Sequence, residues 1–224
     1  IPISSNWPYC DSSPPTAITG EKDACGVGFL AQVEGLESHW ILQQALRGLT
    51  CMEHRGGCGG DGDSGDGAGV LCQIPWSYLN KVWEVVNTGS HSYRGLGMLF
   101  MPHAVERRKE AKYFCENEAL KLGIKSLGWR VVPVDESVLG PLAKETAPFI
   151  QQWLIEGLEE GSALEAKLFQ LRRCIGESVR RSWGEKANDL YIASLSSRTV
   201  VYKGMVRSEI LGAFYQDLKD TRFE

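Results

Sequence analysis

Eight of the sixteen residues from His54 to Gly69, HRGGCGGDGDSGDGAG, are glycine. A stretch so poor in Cβ atoms packs neither as a helix nor as a strand. It has to be a tight loop whose backbone uses positive φ or comes close to something else. The chain around it is ordinary globular material. Over 224 residues, 43% are apolar and 23% charged, which excludes a disordered or collagen-like chain and suffices for one large or two small domains. The net charge of −4 argues against bulk attraction to nucleic acid or anionic membrane. No apolar run approaches the roughly 20 residues of a membrane span.

Residues 1–24, rich in proline and serine and without helical or strand period, read as an extended arm or removable leader. The apolar, Gly-punctuated run Cys25–Val33 suits a buried strand. Ser38 is placed as the N-cap of a helix reaching Met52, with Leu42, Ala45, Leu46 and Leu49 at helical spacing. After the glycine-rich loop, Val70–Ile74 reads as a strand, and Pro75 as the first residue of a helix through Val86. Leu96–Met101 and Trp129–Val134 are further strands. Ala104–Leu122 and Leu164–Trp183 are long amphipathic helices, and Asp189–Gly204 is a hairpin turning at Ser196-Ser197-Arg198. The mixture lacks a regular βαβ rhythm and favours a layered α+β domain.

Seven cysteines, an odd number at irregular spacing, are expected to be mostly reduced and buried as small apolar groups, as in a cytosolic protein. Cys25 is followed at once by Gly26, which leaves room for a carbonyl to approach the thiol. A buried structural thiol is the plainer reading unless the Ala24–Cys25 bond is cut. Cutting would give one residue both a thiol and an α-amine of pKa about 7.7–8.0, able to take its proton. The glycine-rich loop offers backbone N–H groups to an anion or carbonyl, but no lysine follows to make a phosphate-binding loop. Asp61, Asp63 and Asp66 miss the calcium-loop pattern, and a structural turn is the default. Cys51, His54 and Cys58 lack a fourth ligand for zinc. His39, His91 and His103 are expected at helix ends or on the surface, and Glu106–Glu110 as a solvated mixed-charge face.

Three stretches then occur in order. They are Cys25-Gly26-Val27-Gly28-Phe29, Cys51-Met52-Glu53-His54-Arg55-Gly56-Gly57-Cys58, and Asp63-Ser64-Gly65-Asp66-Gly67-Ala68-Gly69. With Leu190–Gly204, they closely resemble the N-terminal region of the glutamate synthases, above all the ferredoxin-dependent type of cyanobacteria and plastids. The resemblance covers nearly all of residues 21–224. It implies a class II glutamine amidotransferase domain with the four-layer αββα sandwich of the N-terminal-nucleophile hydrolases. In that family Cys25 matches the catalytic nucleophile, exposed by removal of the leader, and L-glutamine is the substrate. His54-Arg55-Gly56 matches a loop expected to scaffold the site.

In the complete enzymes, the resemblance further implies, ammonia passes through a tunnel to a flavin domain and meets 2-oxoglutarate. Ferredoxin supplies the electrons. FMN and an iron–sulfur cluster are expected in downstream domains, and no cofactor or metal in this chain. The setting implied is cytoplasm of a cyanobacterial kind or plastid stroma. The family's His-Ser-Arg-Phe-Ser-Thr and Asn-Gly motifs would begin just after residue 224. Residues 25–224 are thus expected to be the N-terminal part of the glutaminase domain, inactive alone. A non-catalytic interaction or regulatory fragment on the same scaffold is the alternative.

Overall fold

The computed structural model describes residues 26–53, 60–84 and 93–224. In chain order the elements are α1 (His39–Cys51), β1 (Ala68–Gln73), α2 (Trp76–Val82), β2 (Arg94–Met101), α3 (Val105–Lys121) and β3 (Lys125–Val131). There follow α4 (Pro141–Thr146), β4 (Phe149–Glu156), α5 (Gly161–Trp183), β5 (Tyr191–Ser196), β6 (Thr199–Gly204) and α6 (Leu211–Phe214). Short 3-10 turns occupy Glu136–Val138, Gly184–Asp189 and Gln216–Lys219. Among the described residues no helix is long and apolar enough to cross a membrane.

Four strands form an antiparallel sheet in the order β3-β4-β2-β5, and β1 pairs with β6 in a separate antiparallel ribbon. One face of the larger sheet is covered by α3 and α5. Ala111, Cys115 and Ala119 of α3, and Leu164, Leu168, Leu171, Ile175 and Val179 of α5, recur at helical spacing and close over Leu99, Trp153, Ile155 and Leu195. The other face, with Leu96, Met98, Ile150 and Leu154, packs against Val200 and Tyr202 of the ribbon, Tyr78 and Leu79 of α2, and Leu211, Phe214 and Phe223 near the C-terminus. Helix α1 lies beside β1. The architecture is the expected α+β sandwich of stacked helices and antiparallel sheets.

Ser38 caps α1, its hydroxyl accepting from the Trp40 amide at 3.2 Å. The long helices and the β5–β6 hairpin lie within a few residues of their expected places. Four expectations are corrected. Strand β3 runs Lys125–Val131 rather than Trp129–Val134, because Pro133 cannot extend the ladder and a bulge at Ser126/Gly128 lets the strand begin earlier. Pro75 is the N-cap of α2, not its first helical residue, and α2 ends at Val82; Val86 lies outside the described residues. Strand β4 and helix α4 had no sequence assignment. Gln151 and Gln152 interrupt the apolar run of β4, yet both are buried.

Finally, the expected strand Cys25–Val33 does not form: residues 26–32 have no regular structure, Val33 begins a turn, and Cys25 lies outside the described residues. Val27, Phe29 and Val33 are more than nine-tenths exposed. An apolar run becomes a strand only where a neighbouring strand takes its N–H and C=O groups.

A buried polar network ties the two sheets together. The fully buried Asp217 carboxylate accepts two bonds from the Arg130 guanidinium, at 2.7 and 2.8 Å, one from Tyr78 at 2.8 Å and one from Tyr202 at 3.0 Å. Arg130 also donates to Gln152 Oε1 at 2.8 Å, and Gln152 Nε2 donates to the Tyr202 hydroxyl at 3.0 Å. Burial pushes both phenols up, which keeps them neutral donors. Asp217→Asn removes the charge opposite the largely buried Arg130, and breaking such a pair costs about 3–5 kcal/mol. Urea unfolding of the variant should show a loss of that order; a loss under about 1 kcal/mol would mean the network is dispensable.

Candidate active site

The glycine-rich segment is described from Gly60 onward, and it is a pinned loop. Asp61 accepts from the Asp63 amide at 3.1 Å, the Ser64 amide at 2.8 Å and the Ser64 hydroxyl at 2.6 Å. Its second oxygen also accepts from the Leu142 amide at 3.1 Å, while Ser64 Oγ accepts from the Ala143 amide at 3.0 Å. Those two amides belong to the first turn of α4, where the helix has no intrahelical partner for them. The loop therefore supplies the cap that α4 lacks locally. The Ser64 hydroxyl bond, followed by the backbone bonds from Ser64 and Leu142, holds the Asp61 carboxyl well below the usual carboxylate range.

Two glycines make this fit possible. A Cβ on Gly140 would sit 2.6 Å from Ser64 Oγ and 2.7 Å from Ser64 N. A Cβ on Gly65 would sit 2.4 Å from the Arg207 amide nitrogen and 2.6 Å from the Val206 carbonyl oxygen. At the other end of the segment, Glu53 accepts from Arg207 Nη2 at 2.7 Å. The same guanidinium reaches Glu209 at 2.5 Å.

Between the loop and the ribbon lies an open pocket of about 570 Å³. Asp66 and Gly67 form its loop side, Leu71 and Val201 its ribbon side, and Phe100, Tyr191, Lys203 and Met205 much of the rest. Lys203 Nζ donates to the Tyr191 hydroxyl at 2.6 Å and lies 4.4 Å from that ring's centre. A largely apolar lining with one ammonium, Lys203, and one carboxylate, Asp66, suits a small polar molecule with a short aliphatic part.

Two of the cysteines elsewhere are muted by burial. Cys72 points away from this pocket into the inter-sheet core, where burial pushes its thiol up to about 12. Cys115 is fully buried and likewise raised by burial. Neither is a thiolate near neutral pH, so neither is primed to attack a carbonyl. The expected nucleophile, Cys25, lies outside the described residues, as do His54 and Cys58 of the weighed zinc set; Cys51 is exposed at the end of α1. Among the described residues no three His, Cys, Asp or Glu side chains converge as a metal site. His39 donates from Nδ1 to the Phe223 carbonyl at 2.8 Å at the start of α1, and His103 bonds to the Ala147 carbonyl just before α3. Both sit at helix ends as expected; His91 lies outside the described residues.

Sequence reasoning missed the two anchors of the loop, Asp61–Ser64 onto α4 and Glu53–Arg207. The first had a local signal, since Asp-x-x-Ser favours a side-chain-closed turn. The second joins residues 154 positions apart and had none.

Comparison with known proteins adds the wider context. The family model of the class-II glutamine amidotransferases matches residues 25–224. Ferredoxin-dependent glutamate synthase 1 of Arabidopsis thaliana is 44% identical over 213 residues, covering 92% of this chain and 13% of that protein. Ferredoxin-dependent glutamate synthase 2 of Synechocystis sp. is 44% identical over 224 residues, covering 98% of this chain and 14% of that protein. The large chain of the NADPH glutamate synthase of Bacillus subtilis is 38% identical over 207 residues, covering 91% and 13%. The chain thus spans only 13–14% of the length of these relatives.

The Asp61 anchor has a pH signature. Its carboxyl is depressed in the folded state, so its contribution is full above the unfolded value of about 3.9 and fades as pH falls toward the folded value. Amide exchange of residues 60–67, compared with that of β2, should accelerate below pH 4. Asp61→Asn should accelerate it at pH 7 and flatten the acid dependence. Equal protection in the two proteins at pH 7 would show that the carboxylate does not hold the loop.

Proposed function

This chain belongs to the class-II glutamine amidotransferases, and we propose that it forms the N-terminal part of the glutaminase unit of a glutamate synthase, with Cys25 as nucleophile. The observation that carries the proposal is the family match, which starts at Cys25 and runs on through the glycine-rich loop and the ribbon that line the pocket. The silence of Cys72 and Cys115 supports it, since two rival thiols are held protonated by burial.

The chemistry proposed needs cleavage between Ala24 and Cys25. The freed α-amine takes the thiol proton, through a water where the distance requires one, and the thiolate attacks the side-chain amide carbon of glutamine. The tetrahedral oxyanion collapses and the C–N bond breaks. The nitrogen leaves as ammonia after receiving the proton from the amine. A γ-glutamyl thioester remains on Cys25. Water, deprotonated by the same amine, attacks it and releases glutamate and the thiol. Donors for the oxyanion are a requirement of this scheme.

The wider reaction is proposed from the relatives. Ammonia released here would serve reductive glutamate synthesis from 2-oxoglutarate. Ferredoxin would supply electrons to FMN and an iron–sulfur cluster in parts of the protein outside these 224 residues. A plastid stroma or cyanobacterial cytoplasm fits the sources of the ferredoxin-dependent relatives. The isolated 224-residue chain is proposed to be inactive. Its ribbon leaves Leu71 about two-thirds exposed, and Val27, Phe29 and Val33 are more than nine-tenths exposed, so apolar surface in this chain is left uncovered.

The test is glutamine-dependent ammonia release by the complete protein. Cys25→Ala should lower it at least about 10³-fold while leaving synthesis from added ammonia intact. Retained glutaminase activity in Cys25→Ala would exclude the proposed nucleophile. Turnover by the 224-residue chain alone would overturn the proposal that it is inactive.

A further inference from the structure

We infer that Arg207 is a positioning residue for amide hydrolysis, clamping both ends of the glycine-rich loop to the strand that forms the opposite side of the pocket. The inference rests on the glutaminase reading above and names a residue that reading did not require.

The geometry is specific. Arg207 follows β6 by three residues; it does not line the pocket itself, but Gly204, the last residue of β6, and Met205 do. One end of the loop reaches this point through charge, with Glu53 at 2.7 Å from Arg207 Nη2. The other reaches it through shape, with Gly65 so close to the Val206–Arg207 backbone that a single added carbon would lie 2.4 Å from the Arg207 nitrogen. Immediately beyond that contact, Asp66 and Gly67 form the pocket's loop side. The Arg207 guanidinium is further steadied by Glu209 at 2.5 Å. Two points flanking or within one loop, twelve residues apart in sequence, therefore converge on one residue two positions beyond the pocket-lining Met205. Both carboxylates are reached by one nitrogen, Nη2, at the far end of the long arginine side chain, so a lysine must bring its ammonium to the same point on a shorter stem to replace it.

Displacing this anchor would move Asp66 and Gly67 relative to Lys203 and Met205 without unfolding the sandwich, whose core lies on the other face of the ribbon. Small displacements of positioning groups cost catalysis heavily. The ion pair is partly exposed, with Glu53 44% and Arg207 26% accessible, so salt screens it.

The test uses the complete protein, with Glu53→Gln, Arg207→Ala, Arg207→Lys and the double variant Glu53→Gln/Arg207→Ala, and with Arg180→Ala as a distant surface control. Two readouts are taken: the glutaminase kcat and KM, and amide exchange of residues 60–67. Arg207→Ala should raise KM for glutamine, or lower kcat/KM, at least about 10-fold. Glu53→Gln should show part of the same effect, and the double variant no more than Arg207→Ala alone. Arg207→Lys should restore less than half of the loss. Residues 60–67 should exchange faster in the variants and as in wild type in Arg180→Ala. High salt should raise KM in wild type and leave Arg207→Ala unchanged. Additive effects, or kinetics within twofold of wild type despite a lowered melting temperature, would reduce Arg207 to a structural ion pair and overturn the inference. Wild-type protein without glutaminase activity would overturn the functional reading and the catalytic part of the inference. The exchange measurement would still decide whether the clamp exists.

Discussion

The structure depends on how one buried carboxylate is satisfied. Asp217 sits between the two sheets and takes four hydrogen bonds, from Arg130 on β3, Tyr78 on α2 and Tyr202 on β6. A charge so placed is tolerable only when it is fully paired, and here it is. Because its donors come from three separate elements, satisfying it sets where each of them lies. The 3-10 turn carrying Asp217, the ribbon and the larger sheet are thereby brought into one arrangement. The apolar core around them is less directional, built from Leu96, Met98, Leu154, Val200 and Phe223.

From that arrangement the pocket follows. Tyr202 is fixed on the inner face of β6, so Val201 and Lys203 face outward, by the alternation of a strand. Val201 and Lys203 then line one pocket with Asp66 and Gly67 of the glycine-rich loop, which is itself held by Asp61 on α4 and by Glu53 and Gly65 at Arg207. Close approach is served by two glycines, Gly65 within the loop and Gly140 ahead of α4, across from Ser64. The high glycine content of the segment therefore has a steric cause at Gly65 that does not depend on any ligand.

Much of this was legible in the sequence, and the failures have physical causes. Helices with a clear apolar stripe and a local cap, such as α1 behind Ser38 and α5 with Leu164, Leu168, Leu171 and Ile175, declare themselves within a few residues. Strand β4 was hidden because its centre carries Gln151 and Gln152, and Gln152 is buried only because Arg130 and Tyr202 lie ready to bond it. Strand β3 was displaced because a bulge at Gly128 breaks the two-residue period. The run after Cys25 carries a strand's composition without a ladder, since composition does not supply a pairing partner. For the site, the motifs pointed to the family, while the anchors of the glycine-rich loop include a long-range contact. Glu53 and Arg207 look like ordinary surface residues until the fold brings them within 2.7 Å.

The central claim is that one amino acid supplies both attacking sulfur and proton-accepting nitrogen. The most direct measurement is the N-terminus of the catalytically competent protein, read by intact mass or N-terminal sequencing on a sample whose glutaminase activity has been titrated. The account predicts that active molecules begin at Cys25. Full activity from molecules in which Ala24 and Cys25 remain joined by a peptide bond would contradict it.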